Sequence, residues 1–298
     1  MNPPVPAPTP TPAENREDSE LTWGGLSHVG RYRSNNEDAF LMLKSDGCEI
    51  LRLGKTGQAS LRGADYIFAV SDGLGGARSG EFASRMAADR ITQFFVKTFR
   101  MPADKLAALY RELLNDLFIT IHKDLMRLGQ CYEECAGMGA TLSLCWISHR
   151  RLFFGHIGDS RIYHLPRGGA LRQLTHDHSH VGWLQRQGQL NEREARMHPR
   201  RNALQQALGA GHQFVEPQIA AVPYQAGDRF LICSDGLIDG LWDRRLAELL
   251  AECSMSGQEP GPEARLVAEA VEASGRDNVT AVVVQTPAPA GAETEAGR

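Results

Sequence analysis

No run of apolar residues in this chain of 298 approaches the length needed to cross a bilayer. The opening residues, MNPPVPAPTPTPAENRED, have neither the basic start nor the apolar stretch of a secretory signal. An excess of basic charge is also missing: 32 Lys and Arg against 36 Asp and Glu leave a net charge of -4. That excludes a protein gripping nucleic acid through its bulk field. Cysteine is sparse, with six in all. Cys48, Cys145 and Cys233 sit in apolar strand-like runs and are expected to act as small buried hydrophobes. Cys131 and Cys135 have the spacing of half a zinc site, but no second Cys/His pair matches them. The expectation is a soluble cytoplasmic protein.

What is present suffices for a full core: 42% of residues are hydrophobic and 23% charged. Residues 1–20, rich in Pro, Thr and Ala, read as a disordered or polyproline tail, and residues 287–298 read likewise. No low-complexity linker interrupts residues 21–286, which predicts a single domain there.

Strand-like texture begins at Asp38-Ala39-Phe40, and Ile50 to Gly63 suggests a hairpin around Gly54-Lys55-Thr56-Gly57. Residues 79–100 read as a helix with an apolar stripe of Phe82, Met86, Ile91 and Phe94/Phe95. Pro102 suits the first turn of a second helix striped by Leu106, Leu109, Leu113, Leu117, Ile121, Leu125 and Leu128. Residues 139–147 and 151–157 read as a hairpin turning at 148–150, with residues 162–165 continuing its second strand. Residues 175–212 are polar, with a short helical patch near Trp183, as in a functional surface segment or lid. A strand at 229–234, helices at 246–253 and 263–273 and a closing strand at 279–284 complete the chain. Strands on either side of paired helices, with few βαβ alternations, predict an α+β fold with a mainly antiparallel core.

Two stretches repeat one pattern: Phe68-Ala69-Val70-Ser71-Asp72-Gly73-Leu74 and Phe230-Leu231-Ile232-Cys233-Ser234-Asp235-Gly236-Leu237. Each is an apolar run ending in an aspartate followed by glycine, which predicts a carboxylate on a stiff support with open backbone beside it. Asp38, Asp159 and Asp277 occupy similar strand-edge positions. Taken singly, each aspartate suits a turn or cap; the recurrence favours a site. Hard oxygen donors without a His or Cys partner suit Mg²⁺ or Mn²⁺ better than zinc. Two such ions activate water, and with one arginine they suffice for phosphoryl transfer. Arg33, five residues before Asp38, is placed to clasp a phosphate.

In order along the chain, RSNNEDAF, VSDGLGGARSGEFAS, GMGATLSL, HIGDSRIY, LTHDHS, HPRRNALQQALG, CSDGLIDGL and GRDNVTAVVV resemble the successive motifs of the metal-dependent protein Ser/Thr phosphatases, the type 2C (PPM) family in its bacterial form. The resemblance implies an α-β-β-α architecture, a central β-sandwich of two antiparallel sheets flanked by helices on both faces. It implies two Mn²⁺ or Mg²⁺ ions, with Asp72 bridging, Gly73 giving a carbonyl, and Asp235 and Asp277 as the remaining ligands. Asp159 and Asp239 match a third, weaker metal site. Glu37 and Asp38 match the acidic pair that holds metal-bound water, Arg33 the phosphate-binding arginine, and Asn278 a residue fixing the Asp277 carboxylate. Residues 176–202 match a mobile flap affecting substrate choice, with His176, His178, His180, His198, Arg200 and Arg201 on a solvated polar surface rather than in a further metal site. Where many bacterial members have histidine after the glycine turn, this chain has Ala77. The implied partners are phosphoproteins, a Ser/Thr kinase and its substrates among them, with no nucleic acid, no membrane and a monomeric chain.

Three rivals are weaker. A dinucleotide fingerprint at Gly73-Leu74-Gly75-Gly76 lacks its last glycine, since Arg78 stands there, and the acid before the turn would repel a pyrophosphate. A P-loop at Gly54-Lys55-Thr56 lacks its first glycine, Glu49 standing in its place. A catalytically dead binding module would have lost metal aspartates, whereas every matched position is kept. A hydrolase of small phosphoesters on the same fold is left open, because the metal chemistry is indifferent to the rest of the substrate.

Overall fold

The computed structural model describes residues 20–98, 101–148, 151–253, 255 and 260–287. The Pro-rich stretch, the last residues from 288 on, and positions 149 and 150 of the expected hairpin turn lie outside these. The first half of the chain runs β1 (Glu20–His28), β2 (Asp38–Ser45), β3 (Ile50–Arg52), β4 (Thr56–Ser60), β5 (Asp65–Leu74), α1 (Ala77–Lys97) and α2 (Ala103–Cys131). The middle holds β6 (Gly139–Ala140), β7 (Leu142–Ser148), β8 (Arg151–Ile157), β9 (Arg161–Leu165), β10 (Arg172–Gln173), α3 (His180–Arg186), α4 (Glu192–Met197) and β11 (Leu208–Gly209). Then come β12 (Gln218–Pro223), β13 (Arg229–Cys233), α5 (Asp235–Gly240), α6 (Asp243–Glu252), α7 (Pro262–Ala273) and β14 (Val279–Gln285).

The strands form two antiparallel sheets. One runs β10-β9-β13-β14-β1-β4; the other runs β11-β6-β5-β7-β8-β12, with β2 paired to β5 and β3 to β2. Side chains alternate across each strand, so Tyr66, Phe68 and Val70 of β5 meet Phe230, Ile232, Val282 and Val284 of the opposite sheet in a buried inter-sheet core. The alternate residues Ile67 and Ala69 face outward under α1 and α2, among Ala83, Ile91, Phe118 and Ile121. On the far side Leu231, Cys233, Ala281 and Val283 lie under Leu237, Leu249 and Leu266 of the carboxyl-terminal helices. Strands buried on both faces explain the unbroken apolar runs before each aspartate. The result is the expected four-layer α-β-β-α sandwich.

Several local expectations are corrected. β3 and β4 do not pair as a hairpin: β3 joins β2 and β4 joins β1, in different sheets. Cys48 is exposed, in a turn where its amide donates to the Asp46 carboxylate, whereas Cys145 and Cys233 are buried as expected. In α1, Phe82 faces solvent and the small Ala83 and Ala87 take the core, because the helix lies close on the sheet. In α2, Leu109 is exposed, and Leu114, Phe118 and His122 share the buried face. Residues 162–165 do not continue β8. Gly158, at φ 105°, turns the chain there, and β9 enters the opposite sheet beside β13. The segment 175–212 contains the short helix α4 as well as the helical patch at Trp183, now α3.

The candidate active site

Register places the acidic positions at one end of the sandwich. Asp38, the first residue of β2, lies directly across from Asp72 near the end of β5. Asp159 occupies the crossing between the sheets. Asp235 follows β13 and Asp277 precedes its antiparallel partner β14. The two copies of the repeated pattern are not equivalent: Asp72 is still in extended strand, whereas Asp235 opens helix α5. Arg33, Asp72, Asp159, Asp235, Asp277 and Asn202 are among the residues lining one cavity of about 240 Å³.

Polar neighbours fix this end of the fold. The Asp72 amide donates to Thr141 Oγ1 (3.0 Å) and the Thr141 amide to the Asp72 carbonyl (2.8 Å). A Cβ at Gly73 would fall 2.0 Å from the Gly80 carbonyl oxygen, so glycine is required for the backbone of α1 to approach the strand. Asp38 Oδ2 accepts from Ser234 Oγ (2.7 Å) and Thr280 Oγ1 (2.6 Å), one hydroxyl from each side of the Asp235–Asp277 pair in sequence. Asp38 Oδ1 is buried and has no hydrogen-bond partner among the described residues. Arg33 Nη2 donates to Asp277 Oδ2 at 2.7 Å. The Asn278 side chain bonds the loop before β2. Its Nδ2 donates to the carbonyls of Val29 and Asn35 and its Oδ1 accepts from the Glu37 amide, so it shapes the loop carrying Arg33. The main-chain amide of the same residue donates to the Asp277 carboxylate (2.9 Å).

Crowded together out of water, the acids hold their protons tightly. Burial, then the charges of Asp38 and Asp235, push Asp72 well above the usual carboxylate range. Burial and then Asp159 and Asp277 do the same to Asp235. Burial raises Asp159 to about 7, with Asp177 adding and Arg161 opposing. Asp38 rises to about 6 through burial, against the pull of its two hydroxyl donors. Burial also raises Glu37. Among the described residues no three His, Cys, Asp or Glu side chains close into a ready-made coordination shell; the carboxylates line the walls, and Arg33 rests on one of them. Even so, the donor set fits hard divalent cations. All the donors are oxygens, an orphaned carboxylate oxygen lies among them, and mutual repulsion is relieved by positive charge.

Of the remaining expected residues, Asp239 and Arg201 line an adjoining cavity that shares Asp159, Asn202 and Asp235 with the first. Asp239, the fifth residue of α5, faces Arg201 at 3.6 Å. His176 and Arg200 are exposed, and His198 Nδ1 accepts from the Arg200 amide. His178 departs from the solvated-surface expectation. Its ring packs 5.0 Å from buried His156 and its Nδ1 accepts from the Gly158 amide, so burial lowers it to about 4. His180 stacks on Trp183. At the root of this segment, Arg161 grips Asp177 through Nε (2.9 Å) and Nη2 (2.7 Å). Of the rivals, the P-loop fails outright, since Gly54-Lys55-Thr56 leads into strand β4 and not a helix.

Sequence reasoning missed Thr141, Ser234, Thr280 and Asn202. The only available signal for the first three was a hydroxyl within or beside an apolar strand run, which by itself does not announce a partner.

A sandwich of two antiparallel sheets between helices, with carboxylates gathered at one end, is the frame of a metal-dependent phosphatase. The chain belongs to the protein phosphatase 2C family, whose model matches residues 35–269. The serine/threonine phosphatase stp of Listeria monocytogenes is 31% identical over 220 residues, 74% of this chain and 84% of that one. The protein phosphatase PhpP of Streptococcus pneumoniae is 31% identical over 259 residues, 87% of this chain and 95% of that one. Among solved structures, the Mycobacterium tuberculosis serine/threonine phosphatase PstP/Ppp is 31% identical with a TM-score of 0.68, covering 90% of this chain and 99% of that one. A structure of the PstP catalytic domain, 29% identical with a TM-score of 0.68 and the same coverage of both chains, is in complex with 2 manganese ions.

Proposed function

We propose that this protein removes phosphate from phosphoserine and phosphothreonine of proteins, opposing a Ser/Thr kinase, with two Mn²⁺ or Mg²⁺ ions as cofactors. The observation carrying the reading is one cavity walled by Asp72, Asp159, Asp235 and Asp277 with Arg33 at its side. Relatives named as serine/threonine phosphatases, one of them with manganese, support it. Asp72, the Gly73 carbonyl, Asp235 and Asp277 would hold the two ions, and Asp159 with Asp239 a weaker third. The chemistry supplied by the bound ions is neutralisation of phosphoryl charge and activation of water at neutral pH.

The chain's own residues do the rest. Arg33 offers a guanidinium fork to the phosphate oxygens, exchanging its bond to Asp277 for them. Asp38, held by Ser234 and Thr280, keeps Oδ1 as an acceptor that orients water or receives its proton. Glu37 adds a second carboxylate beside it. Six cysteines, none in a disulfide, support a reducing compartment such as the cytoplasm. No helix among the described residues is long and apolar enough to cross a membrane, and we read the chain as a monomer that binds no nucleic acid.

The test is release of phosphate from a phosphothreonine peptide with Mn²⁺, abolished by EDTA and restored by added metal. Undiminished turnover in chelator would refute the reading. Arg33→Ala is expected to raise KM about tenfold with a smaller change in kcat, as loss of a contact already made to bound phosphate does. Steady-state kinetics on the same peptide checks this.

A further inference from the structure

Helix α4 has only six residues, too few to hold together by its own hydrogen bonds. A capping box, with Asn191 and Glu194 exchanging bonds, secures its start. Its Ala195 is buried, and an i,i+4 pair, Glu192 and Arg196, bonded to each other at 3.0 Å, ties the helix to the neighbouring corner. Arg196 donates to the Leu241 carbonyl (2.6 Å) and the Ile238 carbonyl, and its guanidinium lies 4.3 Å from the centre of the Trp242 ring. Those carbonyls stand where α5 ends, and the last carbonyls of a helix lack partners and attract a cation. Glu192 Oε1 in turn accepts from the amide of Asp243 (3.3 Å), the first residue of α6, where unpaired amides attract an anion. One charge pair thus meets both polarities of the corner between α5 and α6.

That corner is the far end of the helix that starts at Asp235 and carries Asp239. Downstream of α4 in sequence, Asn202 and Leu204 line the acidic cavity. We infer that the Glu192–Arg196 pair is a clasp positioning the segment 192–204 against α5, and so sets how a protein substrate meets the acidic cavity. The inference rests on the phosphatase reading above. Arg196 is a positioning residue, since it touches neither the proposed ligands nor the phosphate. Its role needs the planar fork: lysine keeps the charge but cannot serve two carbonyls, a carboxylate and a ring face together.

The experiment compares wild type, Arg196→Lys and Glu192→Gln with Mn²⁺, on a phosphothreonine peptide and on an aryl phosphate. Amide hydrogen exchange is followed in parallel. Arg196→Lys is expected to raise KM for the peptide about tenfold, the cost of losing one charge-assisted bond, while kcat on both substrates stays within about twofold. Exchange across 192–197 should quicken by about tenfold or more, with the sheet amides unchanged. Glu192→Gln should show a smaller shift in the same direction. A parallel fall in turnover on both substrates, or an unchanged KM, would overturn the positioning role. Unchanged exchange in α4 would overturn the clasp itself. Were wild type to cleave the aryl phosphate but not the peptide, the protein-substrate reading would fail, and the exchange result would still decide the clasp.

Discussion

Asp72→Asn is expected to lower kcat about a thousandfold, a loss of roughly 4 kcal/mol of transition-state stabilisation. The same substitution should raise the melting temperature of the protein in chelator. The two signs share one cause. Asp72 stands among Asp38, Asp235, Asp159 and Asp277, each of which opposes its ionisation, and among the described residues no side-chain hydrogen bond to its carboxylate offsets that repulsion. An amide of nearly the same shape removes the charge and hence the repulsion, but it is a poor donor to a hard divalent cation. Thermal melts in EDTA and rate measurements in Mn²⁺ check the pair of outcomes. A variant that lost activity and also melted lower in chelator would indicate a structural role for the carboxylate instead.

The pH dependence of stability should reverse slope when cation is added. In chelator, Asp159 (about 7), Asp72 and Asp235 have folded pKa values above those of the unfolded chain. The folded state therefore binds protons that the unfolded state releases, and stability falls as pH rises through the folded values. His156 and His178 act oppositely. Burial lowers them to about 3 and about 4, so the folded state keeps them neutral while the unfolded chain takes up protons below about pH 6.5. Stability in EDTA should thus peak near the crossover of these effects and drop as pH rises through about 7, the Asp159 value, by about 5 °C in melting temperature. In excess Mn²⁺ the drop should become a rise over the same range, because cation binding requires ionised carboxylates. Identical slopes with and without cation would mean that the aspartates do not take up metal.

The layers of the fold were legible in the sequence because both central strands are buried on two faces and so appear as unbroken apolar runs. The long helices were legible from their periodicity. Phe82 and Leu109 misled because helical spacing marks a stripe without saying which edge of it touches the sheet. The β3–β4 hairpin misled because a short glycine loop equally well hands the chain from one sheet to the other, and only tertiary pairing decides. At the site, Asp72 and Asp235 stood out through the repeated pattern, Asp159 and Asp277 through strand-edge positions and Arg33 through its place before Asp38, while the ordered motifs drew in Asp239. Invisible were the contacts between residues far apart in sequence: Asp38 with Ser234 and Thr280, Asn278 with the Arg33 loop, and Arg196 with the end of α5. None of these has a local signature, since each joins a common polar residue to a partner that only folding supplies.

Calorimetric titration of the metal-free chain with Mn²⁺ tests the central claim most directly. About two tight sites are predicted for wild type, with at least one lost in Asp72→Asn. Failure of wild type to bind Mn²⁺, or binding that is the same with and without the Asp72 carboxylate, would contradict it.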